Sequence, residues 1–315
     1  MLSGISLPKY RKLLGSEFRD KNIFGVIGEK CGEWVRNMLY LRLAGGLGNQ
    51  LYQVSAANLI AARSFRNVIL ITDGLNQYKQ KRKFDLENIV SIPGCFKINQ
   101  PPLGYLSKIA ILQARCGRWI PIVGINDKNF WKHIRRPSQT PIQVMDGYFQ
   151  RGWTMDVFRE ALRNIIVNET TNGRNKIVGD DEVTIHVRGG DFLTDRNLNI
   201  VGEKYYYNAV LLAQKSGWKR YVIISDDYNY AAKIAKALKE LLPNISLRIL
   251  TGTNSMSVDF HALRCASARI IGNSTFAWWA SALGDLDSAT WSPSQFNLNC
   301  NRDFFLPFEV SVKIS

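Results

Sequence analysis

The chain is short of acid, of cysteine in any clustered spacing, and of long apolar runs, and each shortage excludes something. Its five cysteines, Cys31, Cys95, Cys116, Cys265 and Cys300, stand apart with no Cys-x-x-Cys spacing. Neither a zinc site nor a disulfide framework is therefore expected, and reduced thiols are the default. No stretch approaches the roughly 20 consecutive apolar residues of a membrane span. The first residues, MLSGISLPKYRKLLGSEFRD, mix charges into the apolar ones and lack the uninterrupted apolar core of a secretory signal, so a cytosolic protein is expected. With 26 Asp and Glu against 41 Lys and Arg, the formal net charge is +15. A field of that sign recruits anions: nucleic acid, an anionic membrane surface or phosphorylated small molecules. Basic residues gather at Lys9 to Lys12, Tyr78 to Phe84 and Lys132 to Pro137. No RNA-recognition signature or regular interleaving of bases with aromatics accompanies them, so nucleic acid is not the expected partner.

What is present is alternation. A length of 315 residues allows two domains. From Met38 the chain reads strand, glycine turn, helix, strand (MLYLRL, then NQLYQVSAANLIAARSF, then NVILIT). A middle broken by Pro93, Pro101, Pro102, Pro121, Pro137 and Pro141 follows, closed by FREALRNII as a helix. The polar stretch Asn168 to Lys176, with its Asn172-Gly173 turn, marks a boundary. We therefore expect an extension over 1–37, an N-terminal domain over 38–172 and a C-terminal domain over 173–315. In the last, four strand–helix pairs succeed one another, starting at VTIHVR, RYVIIS, LRIL and ARIIG. That pattern predicts a doubly wound α/β sheet, each domain with its own core and the two facing a cleft.

In such sheets ligands sit outside the carboxyl ends of the strands. The residues found there are His186, Arg188 and Asp191; Ser225, Asp226 and Asp227; Thr251 and Thr253; then Asn273, Ser274 and Thr275. Helix capping alone would account for the hydroxyls and acids, but not for His186 and Arg188, two residues apart on one strand and so on one face. An arginine fork matches phosphate oxygens, and a helix opening at Asn273-Ser274-Thr275-Phe276 offers free N–H groups at its positive end. Together they describe a pyrophosphate cradle. Trp278 and Trp279 in that helix are expected to be core. The turn at Gly46-x-Gly48 has Leu51 where a dinucleotide fingerprint needs its third glycine; the turn can still bring Asn49 and Gln50 against a ligand. The one Asp-x-Asp, Asp285 to Asp287, lies far from the strand ends. A basic cradle without clustered carboxylates is thus expected to offset phosphate charge with side chains rather than a metal.

The motifs GGLGNQLYQ (Gly45 to Gln53), GYFQ (Gly147 to Gln150), HVRGGDF (His186 to Phe192), SDD (Ser225 to Asp227) and GNSTFAWWASALG (Gly272 to Gly284) occur in this order. In this the chain resembles the bacterial α-1,2-fucosyltransferases, glycosyltransferase family 11, from about Met38 to Pro293. The resemblance implies a GT-B-type fold of two Rossmann-like domains and a metal-independent, inverting transfer of fucose from GDP-β-L-fucose to the 2-hydroxyl of a galactoside. By the same resemblance Arg188 holds the β-phosphate with His186 beside it, Asp259 reads the guanine, and Ser274, Thr275 and Phe276 form the phosphate turn. Gly46, Asn49 and Gln50 close over the donor from the other domain. Ser225, Asp226 and Asn273 complete the donor site, and Asp191 is either a general base or a group orienting Arg188. It further implies a galactose-ended acceptor glycan, lipid-linked, at the inner face of the membrane, where the positive charge favours peripheral contact. The departure is Gly189, where the family carries a second arginine.

Overall fold

The computed structural model describes residues 38–72, 75, 83–92, 95–98, 122–140, 142–163, 165–168, 177–198, 200–250, 255–285 and 287–314. The 1–37 extension, residues 78–82 of the basic run, Thr251, Thr253 and most of the expected boundary segment lie outside them.

Two all-parallel sheets organise the chain. The N-terminal one contains β1 (Met38–Arg42), β2 (Asn67–Ile71), β3 (Cys95–Ile98), β4 (Ile122–Ile125) and β5 (Ile142–Met145), in the order β3-β2-β1-β5-β4. The C-terminal one contains β6 (Glu182–Val187), β7 (Arg220–Ser225), β8 (Ser246–Ile249), β9 (Ala268–Ile271), β10 (Ala289–Pro293) and β11 (Glu309–Val312), in the order β8-β7-β6-β9-β10-β11. Among the described residues the helices of six residues or more are α1 (Leu47–Ser64), α2 (Phe130–Arg135), α3 (Met155–Leu162), α4 (Glu203–Lys215), α5 (Tyr228–Leu241), α6 (Met256–Arg264) and α7 (Thr275–Ala282). Each sheet reverses its winding beside its first strand, which places a crevice at the carboxyl ends of β1 and β5 in one unit and of β6 and β9 in the other.

Three differences from the sequence reading have physical causes. The proline-broken middle supplies β3, β4 and β5, four residues each, too short for a periodicity to be read. The helix expected over FREALRNII ends at Leu162; the β-branched run Ile165-Ile166-Val167 is extended, with Ile166–Val167 paired antiparallel to Val90–Ser91. The domains also do not keep separate cores. One buried cluster runs from Leu39, Leu41 and α1 through Trp153 and Phe158 into Phe260 of α6 and Trp278 and Trp279 of α7. A second covers the other face of the C-terminal sheet with Val183, Ile185 and Val187 against α4 and α5.

Helix α1 explains the continuity. It carries no acid in its first turn and is buried almost all round, as expected of a helix with protein on both sides. Tyr52 stacks on Trp278 (ring centroids 5.1 Å, 11° between planes) and meets Trp279 edge-on. Such pairs add about 0.5–1.5 kcal/mol each beyond the area they bury. A large apolar contact of this kind leaves little relative motion between the units. Trp278 and Trp279 are thus core, at the junction. Among the described residues no helix is long and apolar enough to cross a membrane.

At its far end α1 closes on Phe65, 91% exposed with φ 53°, whose N–H donates to the Ala61 carbonyl. A left-handed helix terminus suits glycine and strains a side chain with a Cβ. Phe65→Gly is therefore expected to raise stability by about 0.5–1 kcal/mol, the relief of strain exceeding the extra freedom given to the unfolded chain. Urea unfolding of the two proteins measures it.

Candidate active site

The C-terminal crevice is framed by the ends of β6 and β9, which pair in parallel with His186 opposite Ile271. Just past β6, the Arg188 guanidinium donates from Nη1 to Asp226 and from Nη2 to Asp191 Oδ1 at 2.5 Å. Asp226 Oδ1 also accepts the Gly189 N–H at 2.8 Å, and the guanidinium lies 5.3 Å from the centre of the Phe192 ring. An arginine has five N–H donors, so the two acids fix the fork without exhausting it. This ion pair supports the orienting role for Asp191.

Asp226 is available for the task because its neighbours do the capping. Asp227 is the N-cap of α5 and accepts from the Tyr230 N–H at 3.0 Å. Ser225 closes the turn, exchanging bonds with the N–H and carbonyl of Asp227 at 3.0 Å each. At α7 the reverse holds: Ser274 occupies the N-cap without a side-chain cap bond. The first N–H groups of that helix thus remain for an anion, where the dipole favours one. Asn273 ties the turn down, its Nδ2 donating to the carbonyls of Leu198 and Phe296 at 2.9 Å each.

His186 is buried at the end of β6, its ring 5.7 Å from that of Phe276. Burial, partly opposed by Asp226 and reinforced by Arg188, pushes its pKa down to about 4. The imidazole is therefore neutral at physiological pH, and its Nδ1 has no hydrogen-bond partner among the described residues. This is a polar wall of the crevice rather than a charge.

From the N-terminal unit comes the glycine turn. The Asn49 Oδ1 accepts from Gln150 Nε2 at 2.9 Å and from the Thr275 hydroxyl at 3.0 Å, which joins the GYFQ loop, the α1 terminus and the α7 terminus at one atom. Phe149 in that loop has φ 54°, held by the Asp127 carboxylate accepting the N–H groups of Tyr148 and Phe149. Gln50 is buried behind this wall: its Nε2 donates to the Gly45 carbonyl at 3.2 Å and the Lys83 carbonyl at 3.0 Å.

A cavity of about 910 Å³ lies between the two units. Of the residues singled out from sequence, it is lined by Gly46, Asn49, His186, Arg188, Asp191, Ser225, Asp226, Asp259, Asn273, Ser274, Thr275 and Phe276; Gln50 is not among them. Sequence reading missed Lys83, Asp85, Phe192, Leu198, Phe296 and Asn297, which also face it. Phe192 closes the HVRGGDF motif without having been singled out as a site residue, and the others stand in no motif that a single sequence advertises. Lys83 lay in a basic run that reads as a solvated face, and Phe296 and Asn297 belong to a short hairpin (Gln295–Asn297 with Cys300–Asn301). Burial raises the Asp85 carboxyl pKa, and nearby Lys83 pulls it back in part.

One expectation fails. The cavity is not a basic cradle free of carboxylates: Asp85, Asp191, Asp226 and Asp259 line it against Lys83 and Arg188. Two of those acids hold the one arginine fork, so what the cavity offers an anion is the fork and the uncapped helix terminus rather than bulk positive charge. Among the described residues no group of three or more His, Cys, Asp or Glu is gathered as a metal site. Asp285 and Asp287 close a turn on themselves, the Asp287 N–H donating to Asp285 at 3.0 Å, beyond the C-terminal end of α7.

Two doubly wound parallel units, closed against each other with a polar cavity at the carboxyl ends of both sheets, have the GT-B-like architecture of nucleotide-sugar-dependent glycosyltransferases. The chain belongs to glycosyl transferase family 11, whose sequence profile matches residues 130–305. It is 23% identical to an alpha-1,2-colitosyltransferase of Escherichia coli over 266 residues, 80% of this chain and 89% of the relative. It is 21% identical to the O-antigen biosynthesis glycosyltransferase WbnK of Escherichia coli over 299 residues, 84% and 96% of the two chains. Among solved structures, POFUT1 in complex with GDP superposes with a TM-score of 0.52 at 11% identity, over 82% of this chain and 98% of the other. A variant of Arabidopsis thaliana FUT1 in complex with GDP also gives 0.52, at 12% identity, over 81% and 70%. At these identities the likeness to the solved structures is one of fold.

Proposed function

We propose that the chain transfers L-fucose from GDP-β-L-fucose to the 2-hydroxyl of a galactoside, with inversion at the anomeric carbon and without a metal ion. The observation that carries this reading is Arg188, held by Asp191 and Asp226 beside the uncapped start of α7, on the edge of the sheet where a diphosphate would lie. In the reaction the acceptor oxygen bonds to the anomeric carbon from the side opposite the diphosphate as the bond to phosphate oxygen breaks, and the hydroxyl proton is given up to solvent. The negative charge gathering on GDP is met by the Arg188 fork and the α7 N–H groups. Asp259 would accept from the guanine edge, while Asn49 and the glycine turn close over the donor. The relatives support the class: one bears the name of an α-1,2-transferase and another that of an O-antigen enzyme, and POFUT1 has also been crystallised with GDP-fucose. The acceptor of this reading is a galactose-ended surface glycan, met on its lipid carrier at the inner face of the membrane.

The first relative's name also favours a second reading, in which the sugar moved is colitose, the 3-deoxy analogue of fucose. A donor panel of GDP-fucose, GDP-colitose, GDP-mannose and UDP-galactose, with a galactosyl disaccharide as acceptor, separates them. GDP-fucose is expected to give the highest kcat/KM and a 2-linked product by NMR. Faster transfer from another donor, or a product linked elsewhere, would displace the proposal. Calorimetry with GDP against a single-stranded oligonucleotide disposes of a polyanion binder: one-site GDP binding that survives moderate salt is expected, where multi-phosphate contact would weaken steeply.

A further inference from the structure

Gly189 leaves the crevice one arginine short of the family pattern, and the structure explains why none can return. A Cβ built at Gly189 would lie 2.3 Å from the Cβ of Asp227 and 3.0 Å from its Cγ. Asp227 cannot retreat, because it caps α5. The remaining arginine is flanked by two carboxylates, so the wall it stands on is short of positive charge for a diphosphate, which brings more than one negative charge. His186 contributes none. The missing cation has to enter from another element.

On the facing wall stands Lys83. It lines the same cavity as Arg188 and Thr275, and the one carboxylate its charge acts on there, Asp85, stands on its own wall, two residues along the chain. Its backbone is not adrift: the buried Gln50 amide bonds the Lys83 carbonyl and the Gly45 carbonyl together, while Leu86 and Ile89 anchor the following turn in the core. The same amide therefore sets the lysine and the glycine turn in register with each other. Resting on the donor reading above, we propose that Lys83 is the second phosphate-binding cation of this enzyme, supplied by the N-terminal unit in place of the arginine that position 189 cannot hold. The second (β) phosphate of the nucleotide is then gripped from opposite walls, by Arg188 with the α7 terminus on one side and by Lys83 on the other. A compact ammonium suits this task, since it needs no bidentate geometry.

The test is calorimetry of GDP and GMP binding to the wild type, Lys83→Met and Lys83→Arg, with the donor KM measured alongside. Loss of one well-placed phosphate contact is expected to weaken GDP about tenfold or more and to raise the donor KM similarly. GMP, which lacks the second phosphate, should change much less, Lys83→Arg should recover most of the GDP affinity, and the melting temperature should stay unchanged. Equal GDP affinity in Lys83→Met and wild type would overturn the proposal. So would an equal loss for GMP and GDP, which would mark a structural effect. Failure of the donor reading looks different: the wild type itself would then bind no GDP.

Discussion

Arg188→Ala is expected to cut transfer by roughly a thousandfold while leaving the protein folded. Removing one preorganised donor from a site of developing charge typically costs about 10²–10³ in rate, and Arg188 presents two nitrogens on a rigid fork. Its loss also removes the guanidinium that offsets the Asp226 carboxylate beside the phosphates, so repulsion adds to lost attraction. The fold is spared for a reason visible in the geometry. Arg188 lies past the end of β6, and the side chains of both acids that hold it are about a third exposed (36% each), so no buried charge is left unpaired. Arg188→Lys should recover only part of the rate, because an ammonium cannot span Asp191, Asp226 and a phosphate at once. The checks are kcat/KM for GDP-fucose and a thermal melt; near-normal turnover in the alanine variant would remove the residue from the mechanism.

Much of this was legible because doubly wound sheets write their ligands into a fixed place. Once the strands ending at Val187, Ser225 and Ile271 were read, the loops after them had to border the crevice, and their polar residues converge on it in the structure. The ordered motifs then assigned roles that spacing alone could not. What escaped was held by tertiary contact. Lys83 reaches the cavity on a turn held by contacts from outside its own run: Gln50, buried in another element, bonds its carbonyl, and Leu86 and Ile89 are buried in the core. Asp191 and Asp226 lie 35 residues apart, and their shared hold on one guanidinium could not be inferred from either loop. The joined core was missed for a related reason. Tyr52 and the Trp278-Trp279 pair each look like packing within their own helix, and only the approach of α1 to α7 makes them partners.

That approach depends on Gly48. A Cβ there would stand 2.4 Å from the carbonyl carbon of Thr275, 2.5 Å from the Phe276 nitrogen and 2.6 Å from the Thr275 oxygen. All three atoms are backbone of the proposed phosphate turn, so no rotamer change can absorb the overlap. Alanine would otherwise favour helix α1 by up to about 1 kcal/mol over glycine, whereas forced overpacking typically costs about 1–3 kcal/mol. The overlap should prevail because it falls where two helix termini meet. Gly48→Ala is therefore expected to lower stability by roughly 1–2 kcal/mol, the difference between those terms. The larger effect is on the site: a shift of a few tenths of an ångström in the Ser274-Thr275-Phe276 turn moves the N–H groups proposed to meet the diphosphate and strains the Asn49–Thr275 bond. We expect the donor KM to rise tenfold or more, out of proportion to the loss of stability. Gly124→Ala, in β4 and away from the cavity lining, is the control, since a Cβ there meets nothing within 4 Å. If Gly48→Ala matches Gly124→Ala in both melting temperature and donor KM, the two helix termini do not meet as described, and the grip on the nucleotide from two walls loses its footing.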